Sequence, residues 1–448
     1  MRFPPRSPVV SERLAELYPN HVATMIARAE RALAFGGFDH LLLASGREQY
    51  RFLDDRPVAF HSHPPFKALV PLTTQTDSWI VLTPGRKPVL VYCQPDDYWH
   101  LPPAAPHGYW IEQFDIRVIR RPEEATQHFP PMGERVAIIG EVHDALGAYL
   151  PNNPAKVISS LHFTRSAKTE YELACMRMAQ RRAVRGHRAA EVAFRGRGSE
   201  IDIHRAYLEA TSHNDLDLPY GNIVALNEHC AVLHYQYQRH DKPAEHRSFL
   251  IDAGAQVHGY ASDITRTYGN GDADFSWLLA GVEGAQQQLC AKVRAGQNYP
   301  LLHIEAHHLL AGVLAEQDIV RMSAEAMVAA GVSSVFFPHG LGHPIGLQVH
   351  DVAGFHANEA GDTIPRPPGH PYLRMTRTLE EDFVVTIEPG LYFIPMLLEQ
   401  LRAGPHATHV NWSKVEHLTK FGGIRIEHEV RATRGEPENL TRDAFAAG

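Results

Sequence analysis

The chain has 448 residues, enough for two or three domains with a sizeable core. An apolar content of 44% with 21% charged residues is that of a globular protein, and no apolar run approaches the roughly 18 residues of a membrane span. A net charge of −8 without any basic run argues against a nucleic-acid partner. The opening MRFPPRSPVVSERLAELYPN lacks the apolar core of a signal peptide. Cys93, Cys175, Cys230 and Cys290 form no C-x-x-C pair, as expected of reduced thiols in a cytoplasmic protein, and this argues against a zinc–thiolate site.

In chain order, a long helix is expected over Glu12–Ala34, stopped by Gly36 and Gly37. Strand-like runs follow at FDHLLLASG (38–46), SWIVLTP (78–84), KPVLVYC (87–93) and ERVAIIG (134–140). This mixture predicts a small α/β domain over 1–160, with a second domain over 161–448. Thr169 and Glu172 form a capping-box signature for a helix to Phe194, and Ser199 with Asp202 opens another. SFLIDAG (248–254) and ASDITRTY (261–268) read as a hairpin turning near Val257–Gly259. Helices are expected over 276–295, 301–316 and 323–330, the last closed by Gly331. FVVTIEPGLYF (383–393) and GGIRIEHEV (422–430) each read as a strand, making the second domain α+β.

Four acids interrupt those apolar strands: Asp252, Asp263, Glu388 and Glu427. A carboxylate in such a setting must be exposed, paired or bound to a cation, because an isolated buried charge is expensive. Asp252 and Asp263 are eleven positions apart. In a hairpin turning midway they face one another, which is unfavourable without a cation between them. Four negative charges suit two divalent ions better than one, and a bridging hydroxide then leaves the cluster near one negative charge. Oxygen-rich donors with an imidazole favour Mn²⁺, Co²⁺, Zn²⁺ or Mg²⁺ over soft metals. An imidazole is at hand in FPHGLGHPIGLQVHD (337–351), which holds His339, His343 and His350 among glycines.

Asp252, Asp263, His343, Glu388 and Glu427, in that order, resemble the ligand set of the pita-bread (creatinase/aminopeptidase-like) two-metal peptidases. The flanking strings NIVALNEHCAVLHY, FLIDAG, DITRTY, PHGLGHPIGLQVHD, TIEPGLYF and GGIRIE are most similar to the bacterial Xaa-Pro dipeptidase (prolidase) family. The likeness extends to FLDDRPVAF, FKALVPL and DDYWH near the N-terminus. It implies a pita-bread catalytic domain behind a smaller α/β domain, and hydrolysis of dipeptides with C-terminal proline by a hydroxide held between two metals. Mn²⁺ is the first expectation for the ions, with Co²⁺ or Zn²⁺ as alternatives.

The same resemblance distributes roles. Asp263 and Glu427 are expected to bridge the ions, Asp252 to complete one of them, and His343 with Glu388 the other. Glu388 is expected to shuttle the proton, and His234 and His350 to stabilise the oxyanion or the leaving nitrogen. Arg374 matches the clamp for the proline carboxylate, for which a guanidinium offers two parallel donors. His339 and Tyr220 are expected at the pocket, and Arg425 as a partner of a ligand carboxylate. Asp55 and Trp99 match residues that reach the neighbouring subunit's site in dimers, so a homodimer is expected. Hydrolysis of organophosphate esters is an expected side activity. Three readings compete: an aminopeptidase acting on longer peptides, a metal-free binding module of the same fold, and a two-histidine, one-carboxylate iron oxygenase, which leaves the other acids without a role.

Overall fold

The computed structural model describes residues 8–447. Contacts divide the chain into two units: one runs to Cys175 and takes in His356–Thr363, and the other holds Met176–Phe355 and the chain from Ile364 on.

In the first unit, helix α1 (Pro8–Gly36) begins earlier than the sequence predicts. It buries Leu14, Tyr18, Val22, Met25, Ala29, Ala32 and Leu33, a spacing of three and four that keeps one face inward. Gly37, at φ +77°, ends it by donating to Leu33 O. Strand β1 (His40–Ala44), helix α2 (Pro64–Lys67), strands β2 (Trp79–Leu82), β3 (Val89–Cys93), β4 (Asp115–Ile119) and β5 (Val136–Ile139), and helix α3 (Ala155–Arg165) follow. The sheet order is β4-β3-β2-β1-β5, with β3/β4 and β1/β5 parallel and the other pairs antiparallel. Its core gathers Leu42, Trp79, Val81, Val91 and Ile138. β4 carries no strand signal in our sequence reading because it is an edge strand, DIRVI, with most of its side chains in solvent.

Helix α4 (Glu170–Arg195) starts in the first unit and continues into the second. Its predicted capping box forms: Thr169 N–H donates to Glu172 Oε2 (2.8 Å) and Glu172 N–H to Thr169 Oγ1 (3.3 Å). The Ser199–Asp202 box likewise opens α5 (Glu200–Thr211). Then come β6 (Ile223–Leu226), β7 (Ser248–Asp252), the short pair β8 (Gln256–Val257) and β9 (Tyr260–Ala261), β10 (Thr265–Gly269), and helices α6 (Ala273–Cys290), α7 (Tyr299–Glu316), α8 (Ala324–Ala329) and α9 (Ser333–Phe336). The chain closes with β11 (Val384–Ile387), β12 (Gly390–Tyr392), α10 (Pro395–Ala403), α11 (Trp412–Thr419), β13 (Gly423–Arg425), β14 (His428–Arg431), β15 (Glu438–Asn439) and α12 (Leu440–Ala447).

Two local expectations are corrected. The hairpin turns at His258–Gly259, both at positive φ (+54° and +85°), a two-residue turn of the kind that matches strand twist. Asp252 therefore pairs with Thr265, and Asp263 lies just before β10 instead of opposite Asp252. The second correction concerns the two long runs, each of which breaks in the middle. β11 pairs with β14, while β12 pairs with β13 in a different sheet. The switch points are Glu388-Pro389 and Ile426-Glu427. Pro389 has no N–H for a ladder and instead accepts Ile426 N–H (3.3 Å). Glu427 N–H is diverted to Thr265 O (3.0 Å).

Candidate metal centre

These strand ends build the site. Asp252 is the last residue of β7, Asp263 stands before β10, and Glu388 and Glu427 occupy the two switch points. His343 is carried by the glycine-rich loop after α9, stitched to β11 by Thr386 N–H on His343 O (2.9 Å) and His343 N–H on Thr386 Oγ1 (3.0 Å). Gly342 allows that approach, since a Cβ there meets Thr386 O at 2.2 Å. His343 Nε2 lies 3.5 Å from Asp263, 3.7 Å from Glu388 and 4.0 Å from Glu427. Asp252, Asp263, His343, Glu388 and Glu427 all line one cavity of about 570 Å³, within the usual range for small-ligand sites.

The donors fit a pair of divalent ions. Asp252 Oδ1 and Glu427 Oε1 are buried without a hydrogen-bond partner, although buried polar atoms are nearly always satisfied. His343 Nδ1 donates to Pro344 O (3.0 Å), which points Nε2 at the acids, the orientation common to metal-bound histidines. Burial opposes charge on the ring, but Asp263 and Glu388 raise its pKa, so Nε2–H faces the acids in the metal-free protein and a bound cation would take that proton's place. Burial pushes Glu388 up to about 7 and Asp252 to about 6, and lifts Glu427 well above the carboxylate range, with the neighbouring carboxylates adding repulsion. Asp263 is the exception. Burial also raises it, but the His343 imidazole and the Tyr220 hydroxyl together hold it below its ordinary value. Arg425, itself 4% exposed, offsets one of the four negative charges through Asp252 Oδ2 (2.7 Å). A cationic centre is what the remaining charge calls for.

His234, His339, His350, Arg374 and Arg425 also line the cavity. The His350 ring stands edge-on to His343 at 4.4 Å between centroids. Burial, His343 and Arg374 depress its pKa to about 4, so it is a neutral imidazole at ordinary pH. Burial and the charges of Arg425 and Arg374 also lower His234. His339 has both nitrogens engaged: Nδ1 donates to Gly340 O (2.8 Å) and Nε2 accepts from Tyr392 OH (2.9 Å), which in turn receives Arg425 Nη1 (2.9 Å). Tyr220, expected at the substrate pocket, is not among the lining residues; its hydroxyl donates to Asp263 Oδ1 at 2.5 Å. Asp55 and Trp99 belong to the first unit and are exposed, Trp99 by 77%.

The structure adds residues that sequence reasoning missed. Thr265 Oγ1 donates to Glu427 Oε2 (2.7 Å), and Glu429 Oε1 accepts Asp263 N–H (2.6 Å). Buried Glu200 collects Leu226 N–H, Tyr235 OH and Arg239 N–H, pinning the loop that carries His234. Tyr392, in the same TIEPGLYF string as Glu388, was within reach of sequence reasoning; Thr265, Glu200 and Glu429 become visible only once the strands pair.

Comparison with known proteins bears on this site. Residues 16–163 match the family described as Xaa-Pro dipeptidase, N-terminal domain, and residues 174–434 match metallopeptidase family M24. Xaa-Pro dipeptidase from Stenotrophomonas maltophilia (strain R551-3) is 54% identical over 96% of this chain and 98% of its own. The enzyme of that name from Xanthomonas axonopodis pv. citri (strain 306) is 55% identical over 97% and 99%. Among solved structures, proline aminopeptidase P II from Yersinia pestis superposes with a TM-score of 0.69 at 20% identity, covering 97% of this chain and 100% of its own. Aminopeptidase P from E. coli gives the same score at 95% and 98% coverage. At that identity the likeness speaks for the pita-bread fold alone. The chain belongs to metallopeptidase family M24 and is a metal-dependent hydrolase.

Proposed function

We propose that the chain is an Xaa-Pro dipeptidase and that the cavity bounded by Asp252, Asp263, His343, Glu388 and Glu427 is its catalytic centre. One observation carries the reading: four carboxylates and an imidazole converge on one cavity whose wall also holds Arg374. The close relatives that bear the name support it.

Asp263 and Glu427 would hold both ions, Asp252 would complete the set around one, and His343 with Glu388 around the other. When bound, the ions lower the pKa of water toward neutrality and polarise the scissile carbonyl. Glu388 accepts the proton of the attacking water and returns it to the proline nitrogen, whose release as an anion is unfavourable. His350 and His234, neutral where they stand, donate N–H to the developing oxyanion or the departing nitrogen. Arg374 clamps the proline carboxylate and so selects dipeptides. Arg425, His339 and Tyr220 position the ligands and the pocket wall. Mn²⁺ is the resident ion in this reading, with Co²⁺ or Zn²⁺ able to replace it. The protein works in the cytoplasm as a homodimer in which Asp55 and Trp99 reach the partner's site. Organophosphate esters are secondary substrates, because an activated water attacks phosphorus as well as carbon.

The test is hydrolysis of Ala-Pro, Ala-Pro-Ala and Ala-Ala after chelation and re-addition of Mn²⁺, Co²⁺ or Zn²⁺. Metal-dependent cleavage of Ala-Pro alone is expected. Cleavage of Ala-Pro-Ala at an equal rate favours an aminopeptidase, and full activity in a folded Asp263→Asn variant sinks the metal reading.

A further inference from the structure

Away from the acidic centre, three histidines meet. His303 and His307 are four positions apart on α7 and so share a helix face. His370 comes from the loop before β11, presented by a Pro367-Pro368-Gly369 turn in which Gly369 takes φ +84° and His370 N–H closes onto Pro367 O. One nitrogen from each ring lies within 4.8 Å of the others. The ring centroids are 4.7–4.8 Å apart. A zinc ion bound tetrahedrally at about 2 Å holds its nitrogens about 3.3 Å apart, so small side-chain shifts close this set on an ion.

Two further observations point to a ligand. His303 is 1% exposed, and while its Nε2 shares a hydrogen bond with His370 Nδ1 (2.9 Å), its Nδ1 has no partner. His307 Nδ1 is engaged with Ser333 Oγ (3.0 Å), which orients Nε2, the arrangement of a metal-bound imidazole. A core needing only packing has no reason to gather three imidazoles with an orphaned nitrogen.

We propose that His303, His307 and His370 form a further divalent-metal site that takes Zn²⁺-class ions and ties the segment carrying Arg374 to α7. Three imidazoles without carboxylate favour Zn²⁺, Ni²⁺ or Cu²⁺ over Mn²⁺ or Mg²⁺, the reverse of the oxygen-rich centre. The two sites therefore sort ions by donor chemistry. His370 is followed directly by Pro371 and Tyr372, and then by Arg374 two residues on; all three line the cavity. Phe337 packs against His307 (4.8 Å) and His339 (4.9 Å), linking the cluster to the cavity wall. Ion binding stands on these side chains alone; only its consequence for substrate rests on the dipeptidase reading.

The test uses the full chain, chelated, then equilibrated with saturating Mn²⁺ and one equivalent of Zn²⁺ per chain. Metal analysis is run on wild type, His307→Gln and the less buried His370→Gln, each also on an Asp263→Asn background. Each histidine variant is expected to carry one Zn²⁺ fewer per chain than its parent, on both backgrounds. Amide exchange over residues 366–374 is expected to slow with Zn²⁺ only where the three histidines are intact. Equal zinc in parents and histidine variants, with melting curves in chelator unchanged, overturns the site. Loss of zinc in Asp263→Asn but in neither histidine variant assigns the ion to the acidic centre, and also overturns it.

Discussion

Arg374 is an exposed cation on the wall of the cavity that gathers the four carboxylates. A clamp of that kind reads the free carboxylate of the second residue, and this is what separates a dipeptide from a longer chain. Arg374→Gln is expected to raise KM for Ala-Pro by about 10- to 100-fold, the worth of one charged hydrogen-bonded pair. KM for Ala-prolinamide, whose C-terminus carries no charge, is expected to stay nearly constant. Comparing the two KM values checks the assignment, and equal losses on both substrates rule out the clamp. Arg425 is different in kind, being buried among Asp252, Tyr392 and Thr265. Arg425→Lys keeps the charge but loses the fork, and is expected to weaken metal affinity about 10-fold, measured by Mn²⁺ titration of activity.

Elements set where those side chains stand. β11/β14 and β12/β13 are two short antiparallel pairs offset by the Glu388-Pro389 and Ile426-Glu427 breaks, and each break aims a carboxylate into the cavity. The loop bearing His343 joins them because Gly342 lets two backbones touch. Gly342→Ala is expected to destabilise the fold by about 1–3 kcal/mol and to lower bound metal, read from denaturant midpoints and metal content. Ser199→Ala, by contrast, removes a helix cap far in sequence from every ligand. It is expected to lose about 1 kcal/mol of stability with kcat unchanged.

Across the whole molecule, five buried histidines are kept neutral: His21, His187, His303, His307 and His428 all have depressed pKa values, chiefly through burial. The unfolded chain protonates them near 6.5 while the folded chain does not, so the unfolded state binds more protons and stability falls as pH drops below about 6.5. Asp252, Glu388 and Glu427 act oppositely in chelated protein: their raised pKa values make the folded state bind protons first, and stabilise it as pH falls. Denaturation of the Mn²⁺-loaded protein at pH 7.5, 6.0 and 5.0 is expected to show a steeper loss than that of chelated protein. A steeper loss in the chelated form contradicts the assignment.

Much of the site was legible in the chain because its signals are local. An acid inside an apolar strand, a proline after Glu388 and glycines around His343 each announce themselves within a few residues. The capping boxes at Thr169 and Ser199 were legible for the same reason. Strand β4 was not, because an edge strand facing solvent has no apolar alternation to display. The splitting of 383–393 and 422–430 was not either, since both halves of each run are apolar and only pairing partners tell them apart. Sequence by itself determined which side chains are available to hold metal, and that four acids need cations. Tertiary structure alone decided that Asp252 faces Thr265 rather than Asp263, that Tyr220 serves Asp263, and that His370 meets His303 and His307. The reason is that contacts between residues distant in the chain depend on strand register and loop closure, which no local pattern encodes.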